Sequence, residues 1–253
     1  MIFFALVSKN LRALRGRELA LAAVSGVVLS LHFMTFILAV KETTVANATF
    51  LVYTSPVMLA VLSPIVIKER TTSREALGIV IAILGVLLVA NGGNGFRSFG
   101  LGEASALAAA FLVSVYSLVG RSLRTGGVNT ACYTAYVYSF ATMVALLASV
   151  GLGANTLQPY NTENILAIFG LGLFPTAIGH TLYNYSLGSV KTVTANLFPL
   201  LEPIIASLFA VPLFNEIPTS IQISGYILIL IAVSIVVTGV EFSQLPLGGS
   251  AGL

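Results

Sequence analysis

Charged side chains are what this sequence has least of. Asp, Glu, Lys and Arg make up 8% of its 253 residues, where a water-soluble domain carries about 25%. Such a chain cannot turn most of its surface to water, and a soluble globular domain is excluded. The net charge of +3 comes from twelve basic and nine acidic residues. That is too sparse for the basic footprint nucleic acid requires, so no nucleic-acid partner is expected. The single cysteine, Cys132, lies in an apolar run; it excludes an intramolecular disulfide and reads as a small core residue. The two histidines have no Cys or carboxylate at ligand spacing, so no metal and no cofactor are expected. Met1 to Val7 is too short for a secretory signal and has no cleavage site.

What is present is apolar: 57% hydrophobic residues and a mean hydropathy of +0.99. A span needs about 20 apolar residues, because the hydrocarbon core is about 30 Å thick and a helix rises about 1.5 Å per residue. Uncharged runs of that kind cover 19–40, 43–67, 76–93, 104–120, 130–150, 164–190, 192–214 and 217–240. The fold class expected is an all-α polytopic transmembrane helix bundle with about eight full spans, since backbone amides cannot stay unpaired in lipid. The third and fourth runs are short and should let their charged flanks snorkel to the interface.

The cations orient the bundle. Lys9, Arg12, Arg15 and Arg17 precede the first full span, and Lys68, Arg70 and Arg74 follow the second. Arg121 and Arg124 follow the fourth, and Lys191 follows the sixth. Only Lys41 and Arg97 occupy the opposite joints. By the positive-inside rule the cation-rich side is cytoplasmic. A multi-pass protein of the cell membrane is expected, with the lipid bilayer as its partner and a cytoplasmic C-terminus; a homodimer stays open.

Shifting the chain by 147 residues superimposes its halves. Pro56 falls on Pro203, Glu69 on Glu216, Ser73 on Ser220 and Gly78 on Gly225, while Phe36-Ile-Leu38 resembles Tyr185-Ser-Leu187. The charge pattern puts Glu69 and Glu216 on opposite sides, so the repeats are inverted. Inverted repeats are the architecture of secondary transporters, whose sites lie near the midplane between copies.

These residues resemble the EamA-type members of the drug/metabolite transporter superfamily. The resemblance rests on Ser55-Pro56 through Lys68-Glu69 to Gly78, on Leu201-Glu-Pro203 through Asn215-Glu216 to Gly225, and on Gly102-Glu103 with Tyr116 and Arg121. It covers nearly the whole chain and implies ten spans in two inverted sets of five. The expected division is 1–93 for an N-terminally incomplete first repeat, 100–240 for the second, and 241–253 for a cytoplasmic tail. Met1 to Val7 reads as the end of a second span.

Several side chains could carry chemistry. Glu202 sits within the 192–214 run, where an acidic residue costs about 2.5–3.5 kcal/mol on insertion scales. A carboxyl that gains and loses a proton as it faces alternate sides would couple transport to a gradient; otherwise it hydrogen-bonds a neighbouring helix beside Pro203. His32 and His180 fall within one residue of the pseudo-symmetry and serve as substrate groups, proton relays or core hydrogen-bonders. Asn47, Tyr53, Tyr116, Tyr183, Asn184 and Asn196 point to a polar interior, as ligand contacts or as packing groups. Tyr133, Tyr136 and Tyr138 read as an interfacial aromatic belt. Glu69 and Glu216 read as interfacial caps. Pro56, Pro64, Pro175, Pro199, Pro203 and Pro212 interrupt helices and form kinks or hinges.

No G-x-x-x-x-G-K-[ST], G-x-S-x-G or H-E-x-x-H spacing is present, so neither ATP hydrolysis nor an enzyme is expected. The sequence points to a secondary carrier of a small organic solute, an amino acid, metabolite or drug. A non-transporting scaffold or partner subunit, and more distantly an intramembrane enzyme, are the alternatives.

Overall fold

The structure, a computed structural model, describes residues 12–91, 99–153, 160–215 and 217–239, without the side chains of 91, 213 and 214. Met1 to Val7, Arg97, Pro159, Glu216 and the 241–253 tail lie outside these residues. All regular structure described is helical: α1 (Gly16–Glu42), α2 (Val45–Val52), α3 (Ser55–Val66), α4 (Ser73–Asn91), α5 (Leu101–Thr125) and α6 (Thr130–Gly151). There follow α7 (Thr162–Leu171), a π-helical stretch (Gly172–His180), α8 (Thr181–Ser186), α9 (Thr192–Leu197), a 3₁₀ turn (Phe198–Leu201), α10 (Glu202–Phe214) and α11 (Ser220–Val237). Grouped by continuity, they form eight stretches long and apolar enough to cross a bilayer.

The fourth span departs from its uncharged run. Helix α5 continues through Arg121 and Arg124 and begins before Glu103, for 25 residues. Its charges need not snorkel, because each has a partner inside the protein. Glu103 accepts hydrogen bonds from Gly100 N (2.9 Å) and the Thr43 hydroxyl (2.5 Å). Arg121 pairs with Glu69 at 2.6 Å.

The 147-residue relation is visible in local geometry. Thr72 and Glu75 form a reciprocal capping box before α4, and Thr219 and Gln222 form the same box before α11, satisfying amides the helix itself leaves unpaired. Lys68 and Asn215, also 147 apart, are the non-glycine residues with left-handed backbones (φ 60° and 54°) among those described. Each ends the helix that began at a Ser-Pro or Glu-Pro pair. The breaks correspond too: Tyr53-Thr54 between α2 and α3, and the 3₁₀ turn between α9 and α10.

Helices α4 and α11, which are repeat mates, cross antiparallel at the centre. A β-carbon at Gly225 would stand 2.5 Å from the Gly85 carbonyl oxygen, and one at Gly78 would stand 3.3 Å from the Ala232 oxygen. The shift maps the first contact onto the second, as a two-fold axis between the helices demands. Small residues let backbones approach closely where lipid offers no hydrophobic drive. Ile79, Ala82, Val86, Ile229, Ala232 and Val236 close a core around the crossing, with Tyr53, Leu59, Leu197 and Leu200.

A second core lies where α1 meets α5 and α6. Tyr116, Tyr133, Val137 and Leu29 are buried there, and Gly26 faces Phe140 and Val137 so closely that a β-carbon would come within 2.6 Å. This corrects the aromatic-belt reading of Tyr133 and Tyr138. The Tyr133 hydroxyl bonds Ser25 Oγ at 2.6 Å and the Tyr138 hydroxyl accepts from Asn184 at 3.3 Å, since α6 turns that face to α1 and α8. By contrast, no residue from Thr162 to His180 is buried as a whole, and a β-carbon at Gly170 or Gly172 would meet no atom within 4 Å.

The cation-bearing joints gather at one end. Lys191 Nζ donates to the Arg70 oxygen (3.0 Å), the Cys132 thiol to the Arg12 oxygen (3.1 Å), and Gly239, just past α11, abuts Arg74.

Replacing Gly225 by Val should lower the thermal unfolding midpoint in detergent, because overpacking costs about 1–3 kcal/mol. Gly170→Ala, at an open position, should leave it unchanged. Equal midpoints for the two variants would refute the close crossing.

Candidate functional site

The helix breaks bring polar side chains of the two halves face to face. Ser55, at the first turn of α3, donates to Asn196 Oδ1 on α9 (3.1 Å). Asn196 Nδ2 donates to Ser117 Oγ on α5 (3.1 Å) and to the Tyr183 hydroxyl on α8. Ser117 and Tyr183 share a short hydrogen bond of 2.5 Å, and Ser114 Oγ donates to the Ser55 carbonyl oxygen (3.3 Å). One amide thus joins four elements. Asn196 is 4% exposed, so in this nonpolar interior its amide supplies the acceptor for the Ser55 hydroxyl and completes the bonding of Ser117 and Tyr183.

A second cluster adjoins it on the next residue of α8. Asn184 Nδ2 donates to the Tyr116 hydroxyl (2.6 Å) and the Tyr138 hydroxyl (3.3 Å). Its Oδ1 is buried and has no hydrogen-bond partner among the described residues. Tyr116 stacks on Tyr183 with ring centroids 6.5 Å apart, which ties the two clusters together. The His180 ring lies edge-on to Tyr116 (6.1 Å) and Phe33 (5.3 Å), and its buried Nδ1 is likewise unpartnered.

The symmetry-related histidines have diverged. His32 Nδ1 stands 2.8 Å from the Ala109 oxygen, and its ring packs beside Phe33 (5.4 Å). Phe33 therefore separates the two imidazoles, and His32 is anchored to α5 whereas His180 is not. Asn47 is buried but isolated, its Nδ2 having no partner among the described residues.

Glu202 opens α10 directly after the 3₁₀ turn. Its Oε2 accepts from the Tyr53 hydroxyl at 2.9 Å, so the carboxyl bridges the break in one half to the break in the other. Tyr53 is buried while Glu202 is exposed: the tyrosine reaches out from the core to hold a carboxyl that fronts open space. The 147-residue shift pairs Glu202 with Ser55, which places a carboxyl in one half where a hydroxyl stands in the other.

Of the residues singled out from sequence, Tyr116, His180, Tyr183, Asn184 and Asn196 meet in one cluster and Tyr53 meets Glu202; Asn47 joins neither, and His32 borders the cluster through Phe33. Sequence reasoning missed Ser55, Ser117 and Tyr138. For Ser55 a signal existed, its position opposite Glu202 in the repeat. Ser117 carried none, because a serine in a span bonds back to its own helix as often as across it. No group of three His, Cys, Asp or Glu side chains stands together among the described residues.

Antiparallel halves, matched helix breaks and polar groups converging on those breaks define an inverted-repeat membrane transporter fold. The model of the EamA-like transporter family matches residues 1–91 and 100–238, and the chain belongs to that family. Among its relatives, an uncharacterized transporter of Archaeoglobus fulgidus is 26% identical over 204 residues, covering 79% of this chain and 69% of the relative. The uncharacterized transporter YdfC of Bacillus subtilis is 30% identical over 200 residues, covering 78% and 64%. The chain thus spans about two thirds of the length of these relatives. A protein of Streptantibioticus cattleyicolor, 27% identical over 221 residues (85% of this chain and 72% of the relative), is named a probable terminal-alkyne amino-acid exporter. A crystal structure shares the fold with a TM-score of 0.75 at 18% identity, over 92% of this chain and 79% of the other.

Asn196→Ala should lower stability by about 1–3 kcal/mol, the cost of stranding buried partners, read as a lower unfolding midpoint in detergent. Asn47→Leu, which removes an amide whose Nδ2 has no partner among the described residues, should not. If Asn47→Leu proved the more damaging, the assignment of Asn196 as the hub would be wrong.

Proposed function

We propose that this protein is a secondary carrier of a small organic solute bearing an amino group, working by alternating access between its two inverted halves. The observation that carries this reading is the pair of symmetry-matched helix breaks, with Ser55 against Asn196 and Tyr53 against Glu202. Broken helices free backbone and side-chain polar groups for a solute at the depth where lipid offers none.

The chemistry of the site fits an ammonium. Asn184 Oδ1 is a buried acceptor in need of a donor, Glu202 offers an acceptor facing open space, and the rings of Tyr116 and Tyr183 present π-faces that attract cations. That the Streptantibioticus relative is named an amino-acid exporter supports an amino acid as the solute. His32, His180, Asn47, Tyr53, Tyr116, Tyr183, Asn184 and Asn196 form the solute-facing set, with Asn47 and His32 at its margins. Glu202 takes up and releases the coupling proton, exchanging its bond to Tyr53 as the halves rock. The cation-rich end and the C-terminus face the cytoplasm, as the positive-inside rule places them in a cell membrane.

Reconstitution in proteoliposomes tests the reading. Counterflow of one or more of the twenty standard amino acids is expected, accelerated by an imposed proton gradient. Glu202→Gln should keep counterflow and lose the gradient dependence; unaltered gradient dependence would refute proton coupling through Glu202. Tyr53→Phe should slow gradient-driven flux by roughly tenfold, since a hydrogen bond to a charged group contributes about 1.5–3 kcal/mol. Failure of every amino acid both to exchange and to raise the unfolding midpoint would overturn the proposed solute class.

A further inference from the structure

We propose that Glu69 and Arg121, with Thr192 as third member, form the gate that shuts the cation-rich end of the carrier and must part for the site to open there. The assignment rests on the carrier reading above. Glu69 follows the left-handed residue Lys68, a conformation that is strained for a non-glycine residue and persists only where surroundings hold it. The reversal brings the carboxylate to the second half of the molecule. Its Oε1 accepts from Arg121 Nε on α5 at 2.6 Å. Its Oε2 accepts from both the amide (3.1 Å) and the hydroxyl (3.0 Å) of Thr192, the first residue of α9. Arg121 Nη1 donates onward to the Leu187 oxygen, just past α8, at 2.8 Å. One carboxylate from the α3–α4 joint therefore ties together the ends of α5, α8 and α9.

The pair is partly withdrawn from water, with side chains 14% and 18% exposed, so it is screened less than a surface ion pair. A second link reinforces it. Glu75, at the start of α4, accepts from the Thr194 hydroxyl (2.9 Å) and lies 3.5 Å from Lys191 Nζ.

What makes this closure a gate is its position relative to the site. Each helix end it clamps carries a site residue about one turn away: Arg121 follows Ser117 on α5, Leu187 follows Asn184, and Thr192 precedes Asn196 on α9, whose Nδ2 lies 3.5 Å from the Thr192 oxygen. A solute that enters the cluster competes for the Asn196, Ser117 and Tyr183 hydrogen bonds. The same displacement moves the three helix ends that Glu69 holds. Gate and site are then two ends of one lever, and parting either loosens the other.

The test uses the full chain in lipid nanodiscs with Cys132→Ser, and spin labels at Ser73→Cys and Thr125→Cys, both exposed at this end. With the native pair the labels should give one narrow distance distribution. Glu69→Gln should broaden it and shift it to longer distances, and Arg121→Glu, which sets two carboxylates together, should do so further. The double exchange Glu69→Arg/Arg121→Glu should recover the shorter distance, a rescue that loss of packing alone would not produce. Arg121→Lys, which keeps the charge and loses the forked donation, should fall between. Unchanged distances in Glu69→Gln and Arg121→Lys would overturn the proposal, even if the charge reversals fail to fold. Bridging the two cysteines with a short bismaleimide should stop amino-acid counterflow; undiminished flux through bridged protein also overturns it. The distance measurement needs no solute, so absent flux in unbridged protein counts against the carrier reading and leaves the gate geometry tested on its own.

Discussion

A backbone amide in hydrocarbon must find its partner inside the chain, because the solvent has none to give. This protein obeys that constraint along its spans and, among the described residues, leaves regular α geometry within them at three places: Tyr53-Thr54, the π-helical stretch Gly172–His180, and the 3₁₀ turn Phe198–Leu201. At the first two places hydroxyls take up carbonyls. Thr54 Oγ1 donates to the Leu51 oxygen (2.6 Å) and Thr176 Oγ1 to the Leu171 oxygen (3.0 Å). Pro56 and Pro203 fill first-turn positions, where a missing N–H leaves nothing unsatisfied. The interruptions are thus stable, and all the polar groups of the site are gathered around them.

The molecule divides mechanically along the same lines. Helices α4 and α11 meet through glycine and alanine with no room for adjustment, and interiors packed so closely resist continuous deformation. Helices α8, α9 and α10 are short, joined by non-α turns, and add to their apolar contacts a set of side-chain hydrogen bonds through Asn184, Asn196 and Glu202. Hydrogen bonds between side chains can be exchanged for bonds to a solute at little net cost, whereas a glycine crossing cannot be opened without losing its contacts. Rigid centre and exchangeable margin follow from which residues sit at each contact.

The two repeats are alike in backbone and unlike in chemistry. Capping boxes, left-handed helix ends and helix crossings recur at a separation of 147 residues. The side chains at the breaks do not recur: Ser55 stands opposite Glu202, and His32 is bonded to a carbonyl while His180 is not. Burial diverges too, for α1 is packed by α5 and α6 whereas its mate from Thr162 to His180 presents apolar side chains outward. Symmetry of the frame with asymmetry of the groups places a single carboxyl at a position the frame supplies twice.

Spans, repeat and end-to-end charge bias were legible from residue order, because hydropathy, proline spacing and cation placement are one-dimensional consequences of a bilayer's thickness and the cost of burying charge. So were most of the polar residues that meet at the breaks, since an amide or imidazole within an apolar run has few places to go but inward. What order alone left undecided was pairing. Ser117 bonds across to Tyr183 and Asn196, Tyr138 turns to Asn184 instead of the interface, and Glu69 reaches Arg121 and Thr192 through a left-handed turn at a lysine. Each depends on the rotation of one helix against another to within a fraction of a turn. Only the packing of all the helices together sets that rotation.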